Sequence, residues 1–401
     1  MKVQQTPAVD LTYCLNAHPG ESWAENFAAI RNEALRVRDA VAPERPFALG
    51  LRLSRQAADE LSEPVALSAF REFLEAENLY VFTINGFAYG VFHGTAVKDN
   101  VYRPDWRTAE RLDYTIALAD ILAALLPEGA AGSISTVPGS YKSWIHCEQD
   151  VRDMTDMLAD AALHLSMTKR QTGRHICLAL EPEADCYLET AGETVAFFAG
   201  PLRKLGTRYL RSRHGLSKTE CRKVLSGHLG VCLDTAHAAV QFEGPAETLA
   251  RLRAARIAVP KVQLSAAIHL RTSPETLQRL RDFCDAVYLH QVKARTADGK
   301  IISYRDLPDA LAAAEQTKPD QQWRVHFHVP LFFDGHEGLH STADELCGEF
   351  AEQLAGGAVG HLEIETYTFN VLPEFMQPAD VADGIVREYE WVLRKLFAGC
   401  A

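Results

Sequence analysis

The chain of 401 residues is most informative at first through what it lacks. No apolar run reaches the roughly 20 residues needed to span a bilayer, and the opening MKVQQTPAVD has no apolar signal core. There is no basic excess: 41 Lys and Arg stand against 53 Asp and Glu, a formal charge of −12. That balance argues against a nucleic-acid partner, which needs cations for its phosphates. The nine cysteines include no CxxC pair, and Cys177 and Cys232 sit inside apolar runs. A dispersed odd set reads as reduced core thiols in a reducing compartment, so a cytoplasmic location is expected. The glycines of Asn85-Gly86-Phe-Ala-Tyr-Gly90 make no phosphate-binding fingerprint. No Pro/Gly/Ser-rich linker interrupts the chain, so residues 1–401 are expected to form one domain. A small-molecule partner is what remains; oligomeric state is left open.

What is present is alternation. Nine short apolar stretches read as strands: Leu11–Asn16, Phe47–Leu53, Leu79–Asn85, Gly132–Val137, His175–Glu181, Leu229–Asp234, Lys261–Ala266, Trp323–Val329 and His361–Thr366. Most are apolar on nearly every residue, as strands covered on both faces are. Helical stretches lie between them, such as Arg107–Leu126, with start signals at Ser217-Lys-Thr-Glu220, Ser273-Pro274 and Thr342-Ala-Asp-Glu345. Repeated strand–helix units predict an α/β fold, a (β/α)8 TIM barrel. Nine candidates for eight places leave one over, either Trp323–Val329 or Lys261–Ala266. Val287–Tyr304 reads as an inserted hairpin over the barrel mouth near strand 7, turning at Asp298-Gly299.

An ionised group in mid-strand cannot face the dry helix layer, so it points into the barrel, and near the strand's end it reaches the mouth. Glu181, Asp234, Glu363 and Glu365 are placed so, and the period of two puts Glu363 with Glu365 and His326 with His328. Several carboxylates at one mouth call for a divalent cation, and two ligands of one ion need carboxylates within about 5 Å of each other. Strand-end loops add Asn16, His18, Asn85, His93, Tyr141 and Lys142. His290 and Arg295 come from the hairpin, Arg295 as an anion clamp.

The motifs LALEPE, LDTAH and LEIET, in this order, resemble the xylose-isomerase-like sugar isomerase/epimerase superfamily. The resemblance implies that Glu181, Asp234 and Glu365 (or Glu363) bind one metal and that His237 touches substrate. It asks for a histidine on strand 7, where this sequence has Gln263; His290, His326 or His328 are the candidate replacements, with a slight preference for His328. A narrower likeness, in LTYCLNAHPGESW, LYVFTINGFAYGVFHG, VYRPDWRTAERLDYT, SISTVPGSYKSW and WRVHFHVPLF, is to EboE-type metabolite traffic proteins. It implies a role in synthesis or traffic of a secondary metabolite, with proteins of the same gene cluster as possible partners.

The leading expectation is therefore a metal-dependent isomerase or epimerase of a sugar-like or polyhydroxylated molecule. Glu181 and Glu365 form the acid/base pair beside an ion held by Glu181, Asp234, Glu365 and Gln263 or His328. Lys142, His326, His290, Arg295, Asn85, His93, His18 and His237 are substrate contacts. Oxygen-rich ligation favours Mn2+ or Mg2+, and more imidazoles favour Zn2+. The alternatives are a zinc-dependent hydrolase of the same superfamily and a non-catalytic carrier.

Overall fold

The computed structural model describes residues 1–94, 96–316 and 320–398. Eight parallel strands form the barrel: Val9–Tyr13, Phe47–Arg52, Leu79–Asn85, Ala131–Thr136, His175–Leu180, Leu229–Asp234, Lys261–Leu264 and His361–Ile364. A short antiparallel strand, Lys2–Gln4, lies beside the first of them. Closure between the first and second strands is slight, a Cys14–Gly50 bridge supported by a 2.7 Å hydrogen bond from the Thr12 hydroxyl to the Ala48 carbonyl. Gly50 is required there, because a Cβ would lie 2.3 Å from the Glu363 carboxylate and 2.5 Å from the Tyr13 carbonyl.

The strand left over is Trp323–Val329, within Gln322–Val329, and it lies outside the barrel. The seventh barrel strand runs through Ser265 directly into Ala266–Arg271, which leaves the barrel and enters a second, antiparallel sheet. Its order is Ile301–Tyr304, Val292–Arg295, Gln322–Val329, Ala266–Arg271, Leu339–Ser341. This sheet is thus an insertion between the seventh and eighth barrel strands. Along Gln322–Val329 the period of two divides the side chains. Trp323, Val325, Phe327 and Val329 are buried among apolar neighbours, with Phe283 against Phe327. Arg324 turns the opposite way, donating to the Ala239 carbonyl at the end of helix Thr235–Val240, and His326 and His328 share its side.

The expected hairpin exists as Val292–Arg295 paired with Ile301–Tyr304, with Gly299 at φ +83° in its turn. The helix expected at Arg107–Leu126 spans Ala109–Leu125. Ser217 with Glu220 forms the expected capping box, and Ser273 caps the helix beginning at Pro274. The third expected start differs. Ser341 caps the short 3-10 helix Thr342–Leu346, because the Thr342 hydroxyl accepts instead from the Ala267 amide and Glu345 pairs with Arg324. The described cysteines form no disulfide, and among the described residues no helix is long and apolar enough to cross a membrane.

Candidate metal centre

Parallel register sets the layers of the barrel interior. Glu363 pairs with Gln263 and Gln263 with Asp234, so these stand at one level; Glu365, two residues on, projects one layer nearer the mouth. In the deeper layer Lys261 and Glu363, both fully buried, make an ion pair at 2.6 Å, and Lys261 also donates to Ser135 at 3.1 Å. Burial alone would push the ammonium toward neutrality, but Glu363, with Cys232 and Cys14 nearby, outweighs it and keeps Lys261 charged. Glu363 is therefore engaged below the mouth, and Glu365 is the carboxylate at the mouth.

There the strand ends converge. Ligand atoms of Glu181, Asp234 and His237 all lie within 4.8 Å of one another, as do those of Asp234, His328 and Glu365, and those of His237, His326 and His328. Glu365 is fixed by two amides, Asn16 at 2.7 Å and Asn85 at 2.9 Å, both donating to its Oε1. The Asp234 Oδ1 caps the next helix by accepting from the His237 amide and takes the Ser265 hydroxyl, both at 2.8 Å. Its Oδ2 has no partner, and neither has Glu181 Oε2.

The three imidazoles share one arrangement. His237 Nδ1 lies 3.1 Å from the Pro182 carbonyl, His328 Nδ1 2.8 Å from the Glu365 carbonyl, and His326 Nδ1 2.7 Å from Gln291 Oε1. An oxygen of this kind accepts only, so each Nδ1 carries the proton and each Nε2 offers a lone pair. The Gln291 amide is oriented by its Nε2, which donates to Tyr102 and to the Ala184 carbonyl. Nε2 of His326 and of His328 is buried without a partner. This is how metal-binding imidazoles are held.

The electrostatics agree. Burial, then Glu365 and Asp234, push the Glu181 carboxyl well above the usual range; burial, Asp234 and Glu363 do the same to Glu365. Burial acts upward on Asp234 too, but protonation of His237 and His328, with its hydrogen bonds, outweighs it and holds the carboxyl below the usual range. Burial lowers His237 to about 4 and lowers His326 and His328 as well, so the imidazoles are neutral and able to bind a cation.

Other expected residues are placed differently. Gln263 is fully buried and level with Asp234, but its Oε1 takes the Cys232 thiol of the neighbouring strand at 3.1 Å. Lys142 does not line the cavity above the strand ends, since it pairs with Glu189 and Glu193. Arg295 lies at the far end of its strand, opposite Gln322, and stacks on Phe242 at 4.2 Å; pairing that brings His326 to the mouth necessarily carries Arg295 away from it. His290 stands behind the site, between Asp285 and the His326 carbonyl. His93 bridges the Asn16 carbonyl and the Tyr288 hydroxyl, both at 2.7 Å, and His18 meets Tyr13 at 3.0 Å.

Glu183 belongs to the same wall. It lines the cavity, accepts from the Tyr102 hydroxyl at 2.6 Å, sits 3.5 Å from His326 Nδ1, and is raised by burial to about 8. Its signal was the repeated acid of Glu181-Pro182-Glu183. Tyr102, Tyr288 and Tyr367, also in the lining, carry no comparable sequence signal.

No family model matches the chain, and no curated protein does. Solved structures do. A xylose isomerase-like TIM barrel protein from Mycobacterium smegmatis, in complex with magnesium, superposes with a TM-score of 0.51 at 14% identity, covering 98% of both chains. The probable 3-DHS dehydratase AsbF, involved in petrobactin synthesis in Bacillus anthracis, gives 0.47 at 13%, covering 96% of this chain and 99% of that one. The IOLI protein with a bound zinc atom gives 0.45 at 12%, covering 97% and 100%. At such identities the likeness speaks to the fold alone. The fold is a xylose-isomerase-like TIM barrel.

Proposed function

We propose that the chain is a metal-dependent isomerase or epimerase of a small oxygenated metabolite. The observation that carries the reading is the set of neutral imidazoles, proton-locked at Nδ1, among three buried carboxylates that include an ionised Asp234. Asp234, Glu365, Glu181 and His328 would hold the ion, with His237 and His326 beside it. His328, supplied by the inserted sheet, takes the role the barrel's Gln263 would otherwise have. Three carboxylates with few nitrogens suit Mn2+ or Mg2+. The ion, when bound, supplies a Lewis acid that polarises substrate oxygens.

The protein's own groups do the rest. Glu181 and Glu365, both raised by burial, are a coupled pair able to hold and pass a proton. Asn16 and Asn85 keep the Glu365 carboxylate in place. Glu183, poised at about 8 and paired with Tyr102, is a further proton carrier on the same wall. The narrower sequence likeness adds a role in making or moving a secondary metabolite, in the cytoplasm, by residues 1–401 acting as one domain.

A zinc hydrolase is the second reading, favoured by the separate grouping of His237, His326 and His328. Elemental analysis of protein purified without chelators decides between them. One Mn- or Mg-type ion per chain is expected; two zinc ions would establish the hydrolase, and no metal would leave a carrier. Asp234→Asn and His328→Ala should each weaken metal binding by about 100-fold or more, whereas Gln263→Ala should leave it within about threefold. Retention of metal by His328→Ala would overturn the assignment.

A further inference from the structure

The cavity above the metal-type site changes character with depth. Its inner end is Glu181, Glu183, Glu365, Asn16, Asn85, His237 and His326, all buried. Its outer lining is apolar and aromatic, with Phe87, Val101 and Tyr367 half-buried. Phe92, Tyr288 and Tyr367 form a continuous wall, with ring centroids 5.4 Å, 5.2 Å and 5.0 Å apart, and Tyr367 in turn faces His328 at 4.7 Å. A free polyol would leave such a wall unused, because aromatic and aliphatic surface rewards apolar contact.

Charge in the lining excludes a phosphorylated ligand as well. Its cations are Arg52 and Lys98. Arg52 spends three of its five N–H groups on Glu21 and on the Gly20 and Gly90 carbonyls, and its Nε–H is unpartnered. Lys98 is held by Asp306 at 2.7 Å and by the Tyr288 carbonyl at 2.6 Å. Both cations are thus already paired with carboxylates, and no further lysine or arginine lines the cavity to balance a phosphate.

Resting on the metal reading above, we infer that the substrate is amphiphilic: an uncharged oxygenated head at the carboxylates and an apolar tail along the Phe92–Tyr288–Tyr367 wall. The test uses hydroxamates, whose two oxygens chelate a site ion whatever the natural head. Binding of acetohydroxamate, octanohydroxamate and phosphonoacetohydroxamate to Mn2+-loaded full-length protein is measured by calorimetry. Each methylene buried is worth about fourfold, so burial of about three predicts octanohydroxamate binding roughly 50-fold tighter than acetohydroxamate, with the phosphonate no tighter. Phe92→Ala or Val101→Asp should cut the octyl advantage to about fivefold or less while leaving acetohydroxamate affinity unchanged, which also shows that the site still folds. Equal affinity of the octyl and methyl compounds, or tighter binding of the phosphonate, overturns the amphiphile. Failure to take up Mn2+ at all instead overturns the metal reading beneath it, and the inference with it.

Discussion

The barrel and the inserted sheet contribute opposite halves of one site. Parallel strands deliver the carboxylates Glu181, Asp234 and Glu365 at their carboxyl ends, where any barrel presents its chemistry. The antiparallel insertion, spanning Ala266–Arg271 to Leu339–Ser341, delivers His326 and His328 from one face of one strand, and Tyr288 and Leu289 from the loop before its hairpin. The barrel supplies the carboxylates and His237; the insertion supplies the other two imidazoles and an apolar roof. Strand 7 is where the two join, for it leaves the barrel at Ser265 and becomes the insertion's strand. Gln263, just before that departure, turns to Cys232.

The largest effect should come from the barrel side. Lys261→Met strands the Glu363 carboxylate in the barrel core with no counter-charge, and loss of one partner of such a pair costs about 3–5 kcal/mol. Denaturant unfolding should show it. Restoring neutrality in Lys261→Met/Glu363→Gln should recover more than half of the loss, since the penalty is the orphaned charge. A single variant as stable as the native chain would show that the deeper layer is not an electrostatic unit. His328→Ala, on the insertion side, should by contrast lose metal with much less loss of stability.

That asymmetry also explains what could be read from sequence. All nine strand candidates correspond to strands, because a strand buried on both faces announces itself by its apolar run. The carboxylates could be placed because an acid in such a run has one place to point. Which strand lay outside could not be read, since Gln322–Val329 and Lys261–Leu264 are equally apolar and pairing partners leave no local mark. The place of Arg295 is hidden for the same reason: the hairpin and its turn are legible, but the direction in which it projects is fixed by pairing with Gln322–Val329. The place of Lys142 is hidden because its partners, Glu189 and Glu193, lie about 50 residues away.

A middle-sized effect belongs to the joint between the regions. Glu388, buried in the C-terminal helix Val381–Leu396, accepts from the Leu331 amide just after the inserted strand Gln322–Val329 at 3.0 Å and from Thr366 after the last barrel strand at 2.6 Å. Burial raises its carboxyl to about 7. The protonated form fits the fold, so its contribution is fully present below about pH 4.5 and is lost as pH rises through 7, on the order of 1–3 kcal/mol. Glu388→Gln, neutral at every pH, should remove that part of the dependence from stability measured between pH 5 and 8. An unchanged profile would mean that the joint is not pH-sensitive.

The smallest effect is expected farthest from the mouth. Arg295→Ala loses a stack on Phe242 and hydrogen bonds to Gln322 at a partly exposed strand end. Such a contact is worth about 0.5–1 kcal/mol, and nothing in it reaches the cavity. Metal content and acetohydroxamate affinity should therefore be unchanged in Arg295→Ala, with a small fall in unfolding midpoint. Lys142→Ala should behave alike, as its charge is spent on Glu189 and Glu193. A tenfold fall in ligand affinity in either variant would mean that the insertion's outer edge closes over the mouth when a ligand binds. The division between a barrel that carries charge and a sheet that carries only imidazoles and apolar surface would then have to be redrawn, with Arg295 a cation contributed by the insertion.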